Sequence, residues 1–295
     1  MNMSDLPGLR QDEPMSRHVS WRAGGRARQA YQPADVADLC SFLRTLPPHE
    51  AILFVGLGSN LLVRDGGFDG TVLFTHRALN GIDVQGSTVL AAAGVPSPHL
   101  ARFIAKHGGS GAEWLAGVPG TIGGALAMNA GCYGGETWNH VVSVQTVDRA
   151  GDLRERTGAD YEIGYRHVRL RTGSEEWFVS GRFQFAQGEE AASRARIREL
   201  LKKRVASQPL HLPNAGSVFR NPPGDHAARL IESCGLKGFT VGGAQVSPKH
   251  SNFIVNIGDA TARDIESVID HVEATVRERT GVTLVREVRI VGEAA

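Results

Sequence analysis

Two glycine clusters are the first groups in this sequence whose spacing bears on chemistry. Gly56-Leu57-Gly58-Ser59-Asn60 closes an apolar run, and Gly117-Val118-Pro119-Gly120-Thr121-Ile122-Gly123-Gly124 follows later. Backbone N–H groups left bare by glycine form concavities that take phosphate oxygens. Two such loops together can grip a pyrophosphate from two sides, whereas either loop alone reads equally well as a tight turn. The common nucleotide fingerprints do not match. A dinucleotide G-x-G-x-x-G counted from Gly56 would need glycine where Leu61 stands, and no GxxxxGK[ST] occurs. A dinucleotide held here needs another fold.

Other groups exclude chemistry rather than assign it. Cys40, Cys132 and Cys234 are odd in number, widely separated and never in C-x-x-C spacing, so neither a disulfide framework nor a metal site is expected. A helix predicted over 189–205 carries Arg194, Arg196, Arg198, Lys202, Lys203 and Arg204. Aromatic residues do not interleave with it and the net charge is only +1, which argues against nucleic acid. No signal peptide opens the chain, and no apolar run approaches the roughly 20 residues of a membrane helix, so the expected compartment is the cytoplasm.

The elements that must position these loops are legible in part. Val36, Leu39, Cys40 and Leu43 recur with helical spacing after Pro33. Residues 51–55, 71–74, 88–93, 141–147, 177–185 and 283–291 read as strands, and 97–107 as a helix. Thr261 and Asp264 form a capping box for a helix ending at Gly281, with Ile265, Val268, Ile269, Val272 and Val276 as its apolar face. Residues 108–135 read as a glycine-rich connection, 207–224 as a loop and 1–17 as a loose N-terminus. Helices and strands mix without strict alternation, which predicts an α+β fold. With 295 residues, more than one packed unit is expected.

Five blocks carry a resemblance, in this order: His18-Val19-Ser20-Trp21-Arg22-Ala23-Gly24-Gly25; GLGSNLLVRD at 56–65; WLAGVPGTIGGALAMNAGCYGGE at 114–136; NAGSVFRNP at 214–222; and REVRIVG at 286–292. Together they resemble the UDP-N-acetylenolpyruvoylglucosamine reductases over about residues 16–292. The resemblance implies an FAD-binding part of the vanillyl-alcohol-oxidase type over 18–190, built from subdomains of about 18–80 and 81–190. A C-terminal α+β substrate-binding domain over 206–292 follows. It implies non-covalent FAD, NADPH as co-substrate and UDP-N-acetylglucosamine enolpyruvate as substrate. It also implies a cytoplasmic monomer serving cell-wall synthesis, with no membrane partner. Another flavoenzyme of the same fold and a non-catalytic nucleotide-binding module are the competing readings.

The resemblance also assigns residues. Gly56, Gly58, Ser59, Asn60, Leu61, Pro119, Gly120, Thr121, Gly123 and Gly124 would contact FAD. Saturating an enolpyruvyl ether takes a hydride at one carbon and a proton at the other. It also needs stabilisation of an enolate-like charge spread onto the carboxylate. Ser217 matches the proton donor, Arg166 the catalytic arginine and Glu287 the carboxylate that polarises the intermediate. On residue type alone, Ser217 reads as a turn serine, Arg166 as a solvated charge and Glu287 as half of a surface ion pair. Asn221 matches a substrate-contacting asparagine, and Arg204 is a candidate for the UDP diphosphate. His250 falls where some members have glutamine, although a lone histidine is more often structural. Val285 stands where many members have glutamate. No tyrosine lies between Arg166 and Ser217, so the chain resembles the shorter members that lack a tyrosine-bearing lid.

Overall fold

The computed structural model describes residues 7–295, a mixture of helix and strand that matches the α+β expectation. Its helices are α1 (Val36–Leu43), α2 (Ser97–Lys106), α3 (Ile122–Met128), α4 (Glu190–Ser207), α5 (Ala227–Ser233) and α6 (Ala262–Thr280). The chain forms two compact units that are interleaved in sequence. The first takes Ala30–Leu57 and Thr71–Arg204 with the segment ending at Arg10; the second takes Gln11–Gln29, Gly58–Gly70 and Val205–Ala295. The short early segments Gln11–Gln29 and Gly58–Gly70 thus pack with the C-terminal residues.

The first unit is built on an antiparallel sheet of five strands, in the order Leu153–Arg156, Val141–Asp148, Glu176–Gln184, Thr88–Ala92 and Ile82–Gln85. Leu100, Ile104, Leu115, Ile122, Leu126 and Phe183 pack one core. Around the parallel pair of Ile52–Val55 with Phe68–Phe74, in which Ile52 faces Thr71, a second core gathers Leu39, Phe42, Leu43, Leu73 and Val179. The apolar stripe read from the sequence is the buried face of α1. Asp35 starts that helix by accepting a 2.8 Å bond from Asp38 N. Each large side chain so buried contributes about 1.5–3 kcal/mol.

The second unit packs α6 on a three-stranded sheet of Thr240–Val241, Ala244–Val246 and Ile254–Asn256, with Leu61–Val63 paired in parallel to Arg289–Val291. The capping box of Thr261 and Asp264 is formed, and Gly281 ends the helix at φ 73°. Asp65, the last residue of the GLGSNLLVRD block, adds a second cap: its oxygens accept from Ala262 N at 3.0 Å and Arg263 N at 2.9 Å. Trp21 is fully buried here; its Nε1 donates to the Ile254 carbonyl at 2.8 Å, and its own carbonyl accepts from Asn256 Nδ2 at 2.9 Å.

Three sequence expectations need correction. Of the N-terminus expected to be loose over 1–17, residues 1–6 lie outside the described residues. Leu9–Pro14 form a strand and Met15–Arg17 a 3-10 turn fixed by Met15 N donating to Gly25 O at 2.9 Å. The glycine-rich stretch 108–135 contains α3, whose run of small residues hides its helical period. The closing strand is confined to Arg289–Val291, because residues 285–287 bond to the irregular segment 218–220 instead.

Candidate active site

In the first unit the two glycine loops meet. Gly56 ends its strand directly against Thr121: a Cβ on Gly56 would lie 2.3 Å from Thr121 Oγ1. Gly123 is equally constrained, since its N–H donates to Ala93 O at 2.8 Å and a Cβ there would come within 2.9 Å of Ala93. Gly120 takes φ 103°, open to glycine and strained for other residues. Gly124 differs. It is exposed on the first turn of α3, its nearest would-be neighbour is 4.0 Å away, and Thr121 makes no side-chain cap. Pro119 is exposed beside it.

Arg166 belongs to a hairpin that the sequence did not announce. Strands Tyr161–Gly164 and His167–Leu170 pair antiparallel, which leaves Tyr165 and Arg166 as the two turn residues. Only Arg166 has positive φ, 54°, the backbone pattern of a type II turn at a position that ordinarily takes glycine. Its guanidinium donates to Gly131 O at 2.6 Å and Asn129 O at 3.3 Å, and lies 4.9 Å from the Tyr165 ring. Asn129 ends α3 at φ 46°. Its amide donates to Glu136 Oε2 at 3.0 Å and Gly164 O at 3.1 Å, and its oxygen accepts from Trp138 N at 3.0 Å. Tyr133, at φ 52°, is a third non-glycine residue held left-handed in this cluster. Such strain persists where the surroundings over-determine it, and it concentrates at functional sites.

Arg204 on α4 joins the same neighbourhood. Its charge, with that of Arg166, pulls down the pKa of the Cys132 thiol, but burial dominates and pushes that group up to about 11. Burial likewise lowers the pKa of Arg204 itself and raises that of Tyr133, whose hydroxyl donates to Leu200 O at 3.2 Å. Two guanidinium groups beside a thiol that stays neutral make a locally positive surface suited to a carboxylate or diphosphate.

In the second unit backbone bonds join the residues that follow Ser217 to the segment that carries Glu287. Glu287 N donates to Val218 O at 2.7 Å, Arg220 N to Val285 O at 2.8 Å, and Phe219 bridges Arg286. Ser217 follows Gly216, at φ 75°, and Asn214 Oδ1 holds Gly216 N at 3.0 Å in a local side-chain turn. Both Ser217 and Glu287 are half-buried. The neighbouring Arg286 is taken up by Glu273 and Asp270, each at 2.7 Å. Asn60 Nδ2 donates to Glu287 O at 3.0 Å, and Asn60 O accepts from Arg289 N at 3.0 Å. Gly58, at φ 59°, packs on the chain at His18, and Ser59 is half-buried while Leu61 starts the parallel strand.

Two further assignments acquire structural neighbours. Asn221 is exposed, and its Oδ1 accepts from Ala227 N at 3.1 Å, at the start of α5. His250 is half-buried against Phe253, 4.7 Å between rings, and burial lowers its pKa. Sequence reasoning missed Asn129, Asn252 and Cys132. None of them carried a signal of its own, since the helix that Asn129 ends is itself hidden in the sequence. Among the described residues, no group of three His, Cys, Asp or Glu side chains is arranged to hold a metal ion.

The chain is matched by known protein families. Residues 27–156 match the FAD binding domain family, and 208–291 match the C-terminal domain of UDP-N-acetylenolpyruvoylglucosamine reductase. Fold and site thus define an FAD-dependent oxidoreductase. The UDP-N-acetylenolpyruvoylglucosamine reductase of Thiobacillus denitrificans is 60% identical over 296 residues, covering 96% of this chain and 91% of that protein. That of Methylococcus capsulatus is 56% identical, covering 96% and 93%. The crystal structure of the reductase from Thermus caldophilus superimposes with a TM-score of 0.82 at 29% identity, over 96% of this chain and 99% of that one. The chain belongs to the UDP-N-acetylenolpyruvoylglucosamine reductase family. Its glycine loops fit the cofactor: Gly56 and Thr121 are in contact, and the backbone at Gly124 is open.

Proposed function

We propose that the chain reduces UDP-N-acetylglucosamine enolpyruvate to UDP-N-acetylmuramate with Ser217, Arg166 and Glu287 as its catalytic residues. FAD would be held by Gly56, Gly58, Ser59, Asn60 and Leu61 on one loop and by Pro119, Gly120, Thr121, Gly123 and Gly124 on the other. When bound, it would supply hydride drawn from NADPH for the enolpyruvyl double bond. Hydride addition to one alkene carbon leaves negative charge on the other, conjugated with the substrate carboxylate. Arg166 offers a fixed fork of donors to that charge. Glu287 polarises that intermediate together with Arg166. Ser217 Oγ–H gives its proton to the charged carbon and is reprotonated from solvent. Arg204, Asn221 and His250 contact the sugar nucleotide, and the FAD-binding part extends over 18–190 with the substrate domain over 206–292.

The observation that carries this reading is the 2.7 Å bond from Glu287 N to Val218 O, which ties the backbone of Glu287 to that of the residue following Ser217. The strained turn that presents Arg166 supports it independently. NADPH and UDP-sugars are cytoplasmic metabolites, which supports a cytoplasmic enzyme of cell-wall precursor synthesis, acting as a monomer. Oxidation of NADPH that depends on the enolpyruvyl sugar nucleotide, with UDP-N-acetylmuramate as product, tests the proposal. NADPH oxidation indifferent to that substrate contradicts it.

A further inference from the structure

Residues 217–220 belong to no regular strand, yet their backbone is held on two flanks. On one side lie Val285 and Glu287, as described. On the other lies Asn252, which is 4% exposed and supplies the bonds that a neighbouring strand would make. Its Oδ1 accepts from Phe219 N at 3.0 Å and its Nδ2 donates to Phe219 O at 2.8 Å, while its own carbonyl accepts from Val218 N at 2.9 Å. An asparagine amide presents a donor and an acceptor at the spacing of a peptide group, so it completes both bonds at once; neither a carboxylate nor an apolar side chain can. Phe219 is itself 2% exposed, so losing Asn252 leaves a buried N–H and C=O without partners. The segment must then move to recover them.

We propose that Asn252 is a positioning residue for the reduction. By fixing Val218 and Phe219 from the buried side, it sets where Ser217 delivers its proton. The inference rests on the assignment of Ser217 as proton donor. A displacement of about 1 Å in a reacting group costs about 10²-fold in rate. The side chain of Asn252 acts on Ser217 through the intervening backbone and is not itself a catalytic group.

The test uses the FAD-loaded enzyme and stopped-flow absorbance. Asn252→Leu keeps the volume and removes both bonds; Asn252→Ala leaves room for a water to replace them. Melting temperature and flavin content establish that each variant is folded, and the alanine variant carries the comparison if leucine disrupts folding. NADPH should reduce the flavin of both within about 2-fold of the parent rate. Reoxidation by the enolpyruvyl substrate should slow about 10–100-fold for leucine and less for alanine. The deciding comparison combines Asn252→Leu, or alanine in its place, with Ser217→Ala. If Asn252 works through Ser217, the double variant should reoxidise within about 3-fold of Ser217→Ala alone, because groups acting as a unit are not additive. Multiplicative slowing would make Asn252 purely structural and overturn the inference. A Ser217→Ala enzyme with unimpaired reoxidation would instead remove the proton-donor assignment on which it rests.

Discussion

Replacing Arg166 by glycine separates a catalytic arginine from a solvated turn charge. The left-handed conformation at φ 54° costs an ordinary L-residue about 1–2 kcal/mol, and glycine removes that cost. Against it stand the extra unfolded-state entropy of glycine, about 0.5–1 kcal/mol, and the loss of a charge-assisted bond to Gly131 O and a longer one to Asn129 O. Because Arg166 is only half-buried, those bonds contribute about 1–2 kcal/mol together. The losses exceed the gain by at most about 2 kcal/mol, so Arg166→Gly should lower stability by no more than that, or about 4–8 °C in Tm. Removing a donor aimed at a developing oxyanion costs about 10²–10³-fold in kcat. Calorimetry and steady-state NADPH oxidation on the same preparation give both quantities. Retained activity would remove Arg166 from the chemistry; a fall in Tm of more than about 10 °C would make it a structural anchor.

Three other outcomes follow from the same geometry. Asp65→Ala removes two bonds to the first turn of α6 and should destabilise the protein by about 1–2 kcal/mol while leaving flavin reduction by NADPH intact; unchanged thermal unfolding contradicts the cap. Burial holds the folded pKa of His250 below its unfolded value, so the unfolded state binds more protons as acid is added. Stability linked to this group is therefore complete above about pH 6.5 and lost as pH falls toward the folded pKa. His250→Gln should flatten the acid side of the stability profile, and an unchanged profile contradicts it. Cys132, with its pKa pushed up to about 11, should be roughly 10⁻³ thiolate at pH 8 and should alkylate with iodoacetamide about 10²-fold more slowly than a free thiol. Peptide mass spectrometry reads that rate, and labelling as fast as the free thiol contradicts the buried environment.

What the sequence makes legible is local. The capping box at Thr261, the stop at Gly281 and the apolar stripe of α1 each depend on residues within a few positions of one another, and the structure keeps all three. The turn at Arg166 is invisible because it breaks the local rule: the left-handed position carries arginine instead of glycine. The partners of Asp65 lie 197 and 198 residues away, so nothing near that residue marks it as a helix cap. The bond from Glu287 N to Val218 O, and the approach of Arg204 to Cys132, are likewise tertiary, with no period or spacing to announce them. For Ser217 and Glu287 the ordered blocks of the family supplied the assignment, and residue type alone pointed the other way.

The division of labour between cofactor and protein is tested most directly by stopped-flow comparison of the parent enzyme with Ser217→Ala. NADPH alone should bleach the flavin of both at nearly the same rate, since that step needs no proton at a substrate carbon. Addition of UDP-N-acetylglucosamine enolpyruvate should restore the oxidised flavin of the parent promptly and that of the variant about 10²–10⁴-fold more slowly, the scale of a positioned proton donor. Equal slowing of both half-reactions, or release of FAD from the variant, would contradict the proposed role of Ser217.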